Sequence, residues 1–312
     1  MHKHFDVVAL GEGMVEFNQT RAGEPTYLQG FGGDTSNAVI AAARAGARTA
    51  YLSRVGDDWS GQRLLELWRH EGVDCAAIEV ADDAPTGLYF VTHGHGPQGH
   101  GHEFGYQRKG SAASRMTPAW FEGRPRQVVA QSRVLHVSGI SLALSDSAAA
   151  TVLAAMQSAR EAGTLVSFDA NLRLKLWPID KARASIEEAI ALCDIFLPSL
   201  DDITALTGLT DPGAVVSWGH ALGAETVVLK LGERGSLVSN GTQRQHIPGK
   251  AARMVDATGA GDCFCGNLLA RMARGDGVFT AAGYANAAAA LAVQGFGAVA
   301  PLPRPDQVES LL

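Results

Sequence analysis

Residues 133–171 read RVLHVSGISLALSDSAAATVLAAMQSAREAGTLVSFDAN. The apolar run at 133–139 predicts a buried strand, the Ala-rich run around 145–162 predicts a helix, and 164–171 predicts a second strand. Two strands that are joined by a helical crossover lie parallel in one sheet. This stretch therefore predicts one strand–helix–strand unit of a parallel sheet.

The same alternation continues along most of the chain. Further strands are predicted at 6–13, 49–56, 193–199 and 226–232, and further helices at about 35–47, 59–72, 180–191, 200–207, 212–222, 259–274 and 276–294. Strands that alternate with helices in this way predict an α/β fold, with a mainly parallel sheet covered on both faces. Asp34 or Thr35 is the expected N-cap of the helix at 35–47.

Two regions in the N-terminal third, about 14–33 and 73–110, show β-type patterns and no convincing helix. We interpret them as a small β-sheet that is appended to the α/β body and serves as a lid over its active face. The chain of 312 residues is accordingly predicted to be a single domain, 1–312, that carries this lid.

Composition narrows the class of partner. The formal net charge is −6, which gives no reason to expect nucleic acid or an anionic membrane as a partner. The N-terminus lacks a signal-peptide pattern, and the four cysteines form no CxxC pair, so a reducing, cytoplasmic location is predicted.

The segment 93–102, HGHGPQGHGH, contains His93, His95, His100 and His102. Ordering a glycine-rich loop costs conformational entropy. A solvated loop tip is therefore favoured over a metal site.

Residues 256–262 read DATGAGD and are followed by an apolar, helix-like run. Small residues let backbone amides approach a ligand closely, and the N-terminus of a helix attracts anions. A carboxylate beside such a site suits a general base that accepts the proton of an attacking hydroxyl. The alternative is that Asp262 only caps the helix, and the spacing alone does not decide between the two. The chain has no Walker A motif, and GEGMVE at 11–16 lacks the third glycine of a dinucleotide fingerprint.

Three segments together resemble the ribokinase-like (PfkB) carbohydrate kinases: GGDTSNAVIAAARAG at 32–46, RVGDDWSGQRLLELWRHEGVD at 54–74 and DATGAGDCFCGNLLA at 256–270. The resemblance implies a three-layer α/β/α body with a β-sheet lid. It also implies that Gly33 and Asn37 contact the sugar and that Asp262 is the catalytic base. The amides of 257–261, including those of Gly259, Ala260 and Gly261, would stabilise the transferring phosphoryl group.

The resemblance also implies ATP and Mg²⁺ as cofactors and raises a monovalent cation, which the sequence leaves open. Candidate ATP-binding residues are Lys230, Gly232 and Gly235 in LKLGERGSLV at 229–238, together with Gly259, Gly261 and Asn286. The chain departs from the family's Asn-x-x-Glu motif, since PSLDD places Ser199 and Asp202 there. Ser199 is still expected near ATP, and Asp202 is expected to order Mg²⁺ through water.

The lid segments TGLYF at 86–90 and YQRKGSA at 106–112, with DANLR at 169–173, resemble those of 2-keto-3-deoxygluconate kinases within this family. The matching substrate residues are Tyr89, Tyr106, Arg108 and Arg173. Guanidinium groups bind carboxylates in a two-bond fork, so a sugar acid is favoured over a neutral sugar. The alternative is that both arginines are solvated surface charges.

The implied activity is ATP-dependent phosphorylation of 2-keto-3-deoxygluconate at its terminal hydroxyl. Kinases for fructose, ribose or 5-keto-2-deoxygluconate, and a non-catalytic sugar sensor on the same fold, remain as alternatives. The resemblance further implies a dimer or a higher homo-oligomer. Asp256, at the other end of the glycine-rich segment, is expected to order the loop or a nearby cation.

Overall fold

The computed structural model describes residues 3–95 and 101–312. The strands within these ranges are β1 (Phe5–Leu10), β2 (Met14–Gln19), β3 (Tyr27–Gly32), β4 (Thr49–Gly56), β5 (Val73–Asp74), β6 (Ile78–Ala81), β7 (Leu88–His95), β8 (Gly101–Gln107), β9 (Ser132–Ser138), β10 (Leu165–Asp169), β11 (Ile195–Phe196), β12 (Thr226–Lys230), β13 (Ser236–Ser239) and β14 (Arg244–Ile247).

The helices of the described residues are α1 (Asp34–Arg44), α2 (Trp59–His70), α3 (Pro118–Phe121), α4 (Arg124–Ala130), α5 (Gly139–Ala143), α6 (Asp146–Glu161), α7 (Ile179–Leu192), α8 (Leu200–Thr207), α9 (Pro212–Ala221), α10 (Ala260–Ala273), α11 (Val278–Ala292) and α12 (Pro305–Glu309). None of them is long and apolar enough to cross a membrane.

The central sheet has the strand order β14-β13-β12-β11-β10-β9-β1-β4-β5, with β6 paired to β4. All its pairings are parallel except those of β12 with β13 and of β13 with β14. The segment 133–171 forms β9, α6 and β10, and its two strands pair in parallel as predicted. The mainly parallel α/β fold is therefore confirmed.

Alternation along β1 shows how the sheet supports a layer on each face. Val8 and Leu10 belong to a core cluster shared with residues of α6, α7 and α9. Val7 and Ala9 belong to clusters shared with α1, α10 and α11. Because successive side chains of a strand point to opposite faces, these memberships place helices on both sides of the sheet, as the predicted three-layer body requires.

The second sheet is separate and has the order β3-β2-β7-β8. We call these four strands the lid sheet; it contains the predicted 14–33 region and the second half of the 73–110 region. The first half of the second region contains β5 and β6 and was predicted to belong to the lid. This prediction is wrong, because both strands pair with β4 of the central sheet. Short strands next to a lid carry no local signal for which sheet they will join, because pairing partners are set by distant residues.

The His- and Gly-rich segment 93–102 is described only in part, where β7 ends at His95 and β8 begins at Gly101. His93 contacts Asn18, with 2.8 Å between the His93 Nε2 and Asn18 Oδ1 atoms. His100 lies outside the described residues, and the side chains of His95 and His102 are not described either. Among the described residues, no group of three or more His, Cys, Asp or Glu is arranged to hold a metal ion.

Helix α1 begins differently from the prediction. Its N-cap is Gly33, with φ of 106°, and no side chain caps it within the described chain. A Cβ at Gly33 would lie 2.2 Å from the Glu12 carbonyl oxygen, so only glycine permits this close approach. Asp34, one of the two expected caps, lies instead in the first turn and lines a cavity. The helix ends at Arg44 rather than at 47, two residues before Gly46, whose φ is 88°.

Helices α1 and α10 pack in close contact at Gly266. A Cβ at this position would lie 2.1 Å from the Ala38 carbonyl oxygen and 2.8 Å from the Ala41 Cβ. The absence of a side chain therefore sets the distance between the two helices. This distance matters for the site because α1 carries Asn37 and α10 carries Asp262.

Replacing Gly266 with Ala is expected to destabilise the protein by about 1–3 kcal/mol, the usual cost of overpacking a core. The clash with a backbone carbonyl outweighs the roughly 1 kcal/mol that Ala gains over Gly in a helix. Gly283→Ala is the matched control, since Gly283 lies inside α11 and a Cβ there would meet only Ile247 Cγ2 at 3.9 Å, an ordinary van der Waals contact. Urea unfolding of both variants checks the prediction, and equal midpoints would contradict it.

Candidate active site

A cavity of about 970 Å³ opens between the lid sheet and the body. Its walls include the ends of the parallel strands β10 and β12 and the first turns of α1 and α10. The predicted site residues that line it are Gly33, Asn37, Tyr89, Tyr106, Arg108, Arg173, Ser199, Asp202, Lys230, Gly232, Gly259, Gly261 and Asp262. Parallel sheets bind ligands at the carboxyl ends of their strands, and this cavity lies at that edge.

Three predicted residues do not line the cavity: Gly235, Ala260 and Asn286. A Cβ at Gly235 would lie 2.2 Å from the Ile247 carbonyl oxygen, so this glycine permits a close backbone crossing. Asn286 is buried, and its Nδ2 donates to the carbonyl oxygens of Ile247 and Pro248 at 3.1 and 3.3 Å. The amide of Ala260 donates to the Ala257 carbonyl at 3.2 Å. Each of these groups is thus engaged within the fold.

Asp262 lies in the first turn of α10, where its Oδ2 accepts a hydrogen bond from Asn37 Nδ2 at 2.8 Å. The Asn37 Oδ1 atom is buried and has no hydrogen-bond partner in the described chain. Burial, followed by the charge of Asp34, raises the pKa of Asp262 to about 7, although the Asn37 hydrogen bond and Lys230 act in the opposite direction. A carboxyl group with a pKa near neutrality suits proton transfer.

The glycine-rich loop before α10 is ordered by Asp256. Its Oδ1 accepts from the amide and hydroxyl of Thr258 at 2.9 and 2.7 Å, and its Oδ2 accepts from the Gly297 amide at 2.9 Å. Gly259 then begins the helix in the left-handed region, with φ of 74°, and no side chain of the described residues caps it. An uncapped helix N-terminus offers amides and a positive dipole end to an anion.

Two carboxylates that were not predicted as site residues lie beside Asp262. Asp34 and Asp169 are buried and line the cavity. Asp34 Oδ2 accepts from Asn171 Nδ2 at 3.1 Å, and Asn171 adopts a φ of 32°, which is uncommon for a residue other than glycine. The DANLR segment contained Asp169 and Asn171, but its pattern directed attention only to Arg173.

Lys230 is a positive charge close to the glycine loop. Its Nζ donates to Asp169 Oδ2 at 2.6 Å and lies 3.7 Å from Cys265 Sγ. A Cβ at Gly261 would be 3.5 Å from Nζ, so the ammonium group is adjacent to the start of α10. Burial lowers the pKa of Lys230, but the charge of Asp169, the hydrogen bond to it and the neighbouring Cys265 and Asp202 together raise it, and the net shift is upward. Lys230 is therefore positively charged at neutral pH.

The lid sheet contributes aromatic and basic groups. Tyr89 is buried, and its hydroxyl donates to Glu16. Tyr106 is partly exposed, with 5.7 Å between the Tyr89 and Tyr106 ring centroids. Arg108 forms a buried ion pair with Glu12. Arg173 is exposed at the rim, where its Nη1 donates to the Leu172 carbonyl at 2.8 Å.

Ser199 and Asp202 occupy the two positions where the chain departs from the family's Asn-x-x-Glu motif. Ser199 caps α8, since its Oγ accepts from the Asp202 amide at 3.1 Å. Burial, and then the charge of Asp169, raises the pKa of Asp202. Asp202 and Asp262 line the same cavity.

Known proteins are similar over nearly the whole chain. A 2-dehydro-3-deoxygluconokinase of Thermoproteus tenax is 36% identical, covering 98% of this chain and 94% of that protein. The enzyme of the same name from Bacillus subtilis is 34% identical, covering 98% and 95%. Fructokinases are also similar, such as probable fructokinase-7 of Arabidopsis thaliana at 31% identity, covering 98% and 92%.

Solved structures agree in fold. A putative ribokinase II from E. coli in complex with ATP and Mg²⁺ has a TM-score of 0.89 and 26% identity, covering 100% of this chain and 99% of that one. A Vibrio cholerae fructokinase double mutant, solved with fructose, ADP and potassium, has a TM-score of 0.87 and 28% identity, covering 98% of each chain.

The model of the pfkB family of carbohydrate kinases matches residues 4–305. The expectation of a ribokinase-like fold is confirmed. Together with the glycine loop and Asp262 in a cavity covered by a lid sheet, this match establishes that the chain belongs to the PfkB family of carbohydrate kinases.

Proposed function

We propose that this kinase transfers the γ-phosphoryl group of ATP to the terminal hydroxyl of 2-keto-3-deoxygluconate, which is 2-dehydro-3-deoxygluconate by its other name, giving the 6-phosphate. One observation carries the proposal. The carboxylate at the uncapped N-terminus of α10, Asp262, shares its cavity with two arginines, Arg108 and Arg173.

The arginines favour a sugar acid. The Arg108 guanidinium carbon lies 5.7 Å from the centre of the Tyr106 ring, and Arg173 lines the same cavity. A carboxylate can form two parallel hydrogen bonds with a guanidinium group, which a neutral sugar does not offer. The two relatives named 2-dehydro-3-deoxygluconokinase support the same choice. Fructose remains the alternative because fructokinases are similar as well.

Asp262 is the proposed general base. Asn37 holds its Oδ2, which leaves Oδ1 to accept the proton of the sugar hydroxyl. The unpartnered Asn37 Oδ1 is a suitable acceptor for a second hydroxyl of the sugar. As the hydroxyl oxygen attacks phosphorus, the proton moves to Asp262 and negative charge grows on the phosphoryl oxygens. The amides at the start of α10 and the Lys230 ammonium group would stabilise that charge.

The cavity contains exposed backbone that could bind the phosphates of ATP and a carboxylate that could hold Mg²⁺. Gly232, with φ of 62°, and Gly261 leave the backbone open to phosphates, since no heavy atom lies within 4 Å of a Cβ at Gly232. Asp202 is the carboxylate expected to hold Mg²⁺ through water, in keeping with the preference of this ion for few protein ligands. Bound Mg²⁺ would neutralise charge on the ATP phosphates. A monovalent cation near the loop stays a prediction.

Other sequence-based expectations also stay predictions. A homo-oligomer and a cytoplasmic location are of this kind. A non-catalytic sugar sensor is less favoured, because a sensor does not need a base and this chain retains Asp262 beside Asn37.

A sugar panel with ATP and Mg²⁺ tests the substrate. Comparison of kcat/KM for 2-keto-3-deoxygluconate, fructose, ribose and 5-keto-2-deoxygluconate is expected to favour the first. Fructose and ribose lack the carboxylate that Arg108 and Arg173 would bind. 5-Keto-2-deoxygluconate also carries a carboxylate, so a preference for it would keep the sugar-acid choice and change the substrate. A higher kcat/KM for one of the neutral sugars would overturn the sugar-acid choice and leave the kinase activity standing.

Asp262→Asn is expected to lower kcat by roughly 10²–10⁴, the usual contribution of a general base. Sugar binding, measured by calorimetry, should change little, because the amide keeps the shape of the carboxylate. Asp306→Asn is the matched control, since Asp306 is an exposed carboxylate in the first turn of α12. An Asp262→Asn enzyme with full turnover would remove this residue from the mechanism.

The pH profile of kcat/KM should fall on the acid side with an apparent pKa near 7, because protonated Asp262 cannot accept a proton. Asp34 contributes a negative charge that raises this pKa, so Asp34→Asn should move the acid limb to lower pH. The limb reports the coupled pair of carboxylates rather than one group. An acid limb that stays in place in Asp34→Asn would contradict the assignment.

A further inference from the structure

We propose that Glu12 is the positioning residue for Arg108 and thereby sets the affinity of this enzyme for the carboxylate of a sugar acid. The inference rests on the proposed function, in which Arg108 contacts that carboxylate. It concerns a residue on the body that touches neither the glycine loop nor the proposed base.

Glu12 lies between β1 of the body and β2 of the lid sheet, while Arg108 directly follows β8, an edge strand of that sheet. Arg108 donates to Glu12 Oε2 from Nε at 2.8 Å, and its Nη2 lies 2.5 Å from the same oxygen. The two side chains are 10% and 1% exposed. One carboxylate oxygen thus holds one edge of the guanidinium plane in a buried setting.

The second oxygen of Glu12 is also occupied. Oε1 accepts a hydrogen bond from the Ser111 hydroxyl. A Cβ at Gly87 would lie 2.8 Å from Oε1, so the glycine leaves the space that this carboxylate fills. With both oxygens engaged and the side chain buried, Glu12 is placed to act on the substrate through Arg108 and not by contact.

This arrangement orients the remaining donors of Arg108. A guanidinium group has five N–H donors in a rigid plane. Glu12 accepts the hydrogen bond of Nε, while Nη2 lies close to the same oxygen but is buried without a hydrogen-bond partner in the described chain. The Tyr106 ring lies 5.7 Å from the guanidinium carbon, which restrains the plane on another side. Arg108 lines the cavity, so Nη1 and the unpartnered Nη2 are the donors left for a substrate. A side chain held in its binding orientation loses less conformational entropy when the ligand binds.

Glu12 also supplies the counter-charge for the buried guanidinium group of Arg108. An arginine that is removed from water needs a counter-charge. Glu12 supplies it before the sugar arrives, so the guanidinium is kept in the cavity and not drawn out to solvent. The substrate carboxylate then binds a preformed donor pair, which a neutral sugar cannot use in the same way.

A double-mutant cycle tests the proposal, with kinetics on 2-keto-3-deoxygluconate and on ATP. Glu12→Gln keeps the side-chain shape and is expected to raise KM for the sugar acid about tenfold, the value of one charge-assisted hydrogen bond. kcat and KM for ATP should stay within about twofold. Arg108→Met should raise the same KM about tenfold or more. In the Arg108→Met background, Glu12→Gln should add no further increase, because its partner is gone.

Two further variants complete the design. Glu79→Gln is the control, because it weakens the Glu79–Arg54 pair outside the cavity, where the distance is 2.8 Å, and its kinetics should match the parent. Ser111→Ala removes the restraint on Oε1, together with a longer hydrogen bond from the Ser114 amide at 3.3 Å, and should raise the sugar-acid KM about threefold. This variant decides the matter if Glu12→Gln does not fold, as judged by its thermal unfolding.

The outcomes separate the inference from the proposed function. A tenfold rise in Glu12→Gln that disappears in the Arg108→Met background supports positioning. The inference is overturned if Glu12→Gln keeps the KM of the parent enzyme, or if the two substitutions raise KM multiplicatively in the double variant. If Glu12→Gln does not fold, an unchanged KM in Ser111→Ala overturns it. If Arg108→Met itself leaves the sugar-acid KM unchanged, the role of Arg108 in the proposed function fails, and the inference fails with it.

Discussion

The active site depends on the contact between α1 and α10. Gly266 lets the backbone of one helix reach the Ala38 carbonyl of the other, and this contact brings Asn37 within 2.8 Å of Asp262. Both helices begin at a glycine with positive φ, and neither has a side-chain cap within the described chain. Two positive helix ends therefore face one cavity, where they can favour anionic groups.

The positive ends of these two helices lie close to several carboxylates that line the same cavity. Asp34, Asp169, Asp202 and Asp262 all line the cavity, and Lys230 is paired with one of them at 2.6 Å. Carboxylates that share a buried site raise one another's pKa, which is the direction found for Asp34, Asp202 and Asp262. In the proposed reaction a phosphate chain would meet this negative charge, so cations and helix amides would be needed where the phosphoryl group moves. Burial, and then the charge of Asp34, raise the pKa of Asp262 to about 7.

The lid sheet supplies the second half of the site through paired groups. Glu16 accepts from Tyr89, and Glu12 pairs with Arg108, so each of these two lid side chains is held by a carboxylate. Both acids come from the short stretch that leaves β1 and enters the lid sheet. Body and lid are thus linked by the residues that hold the proposed substrate-binding groups, and a shift of the sheet would move Tyr89 and Arg108 relative to Asp262.

The sequence by itself determined the features that depend on local pattern. The alternation of apolar strands and amphipathic helices predicted the parallel sheet, and the glycines of 256–262 with the following helix predicted the position of Asp262, because hydrophobic period and backbone freedom act over a few residues. The pairing of 73–81 with β4, the engagement of Gly235, Ala260 and Asn286 within the fold, and the presence of Asp34, Asp169 and Glu12 at the site were decided only by tertiary structure. Asn37 and Asp262 are 225 residues apart in the chain, and Glu12 and Arg108 are 96 apart. The partner of a buried polar group is set by which distant segments pack together, and no local pattern encodes it.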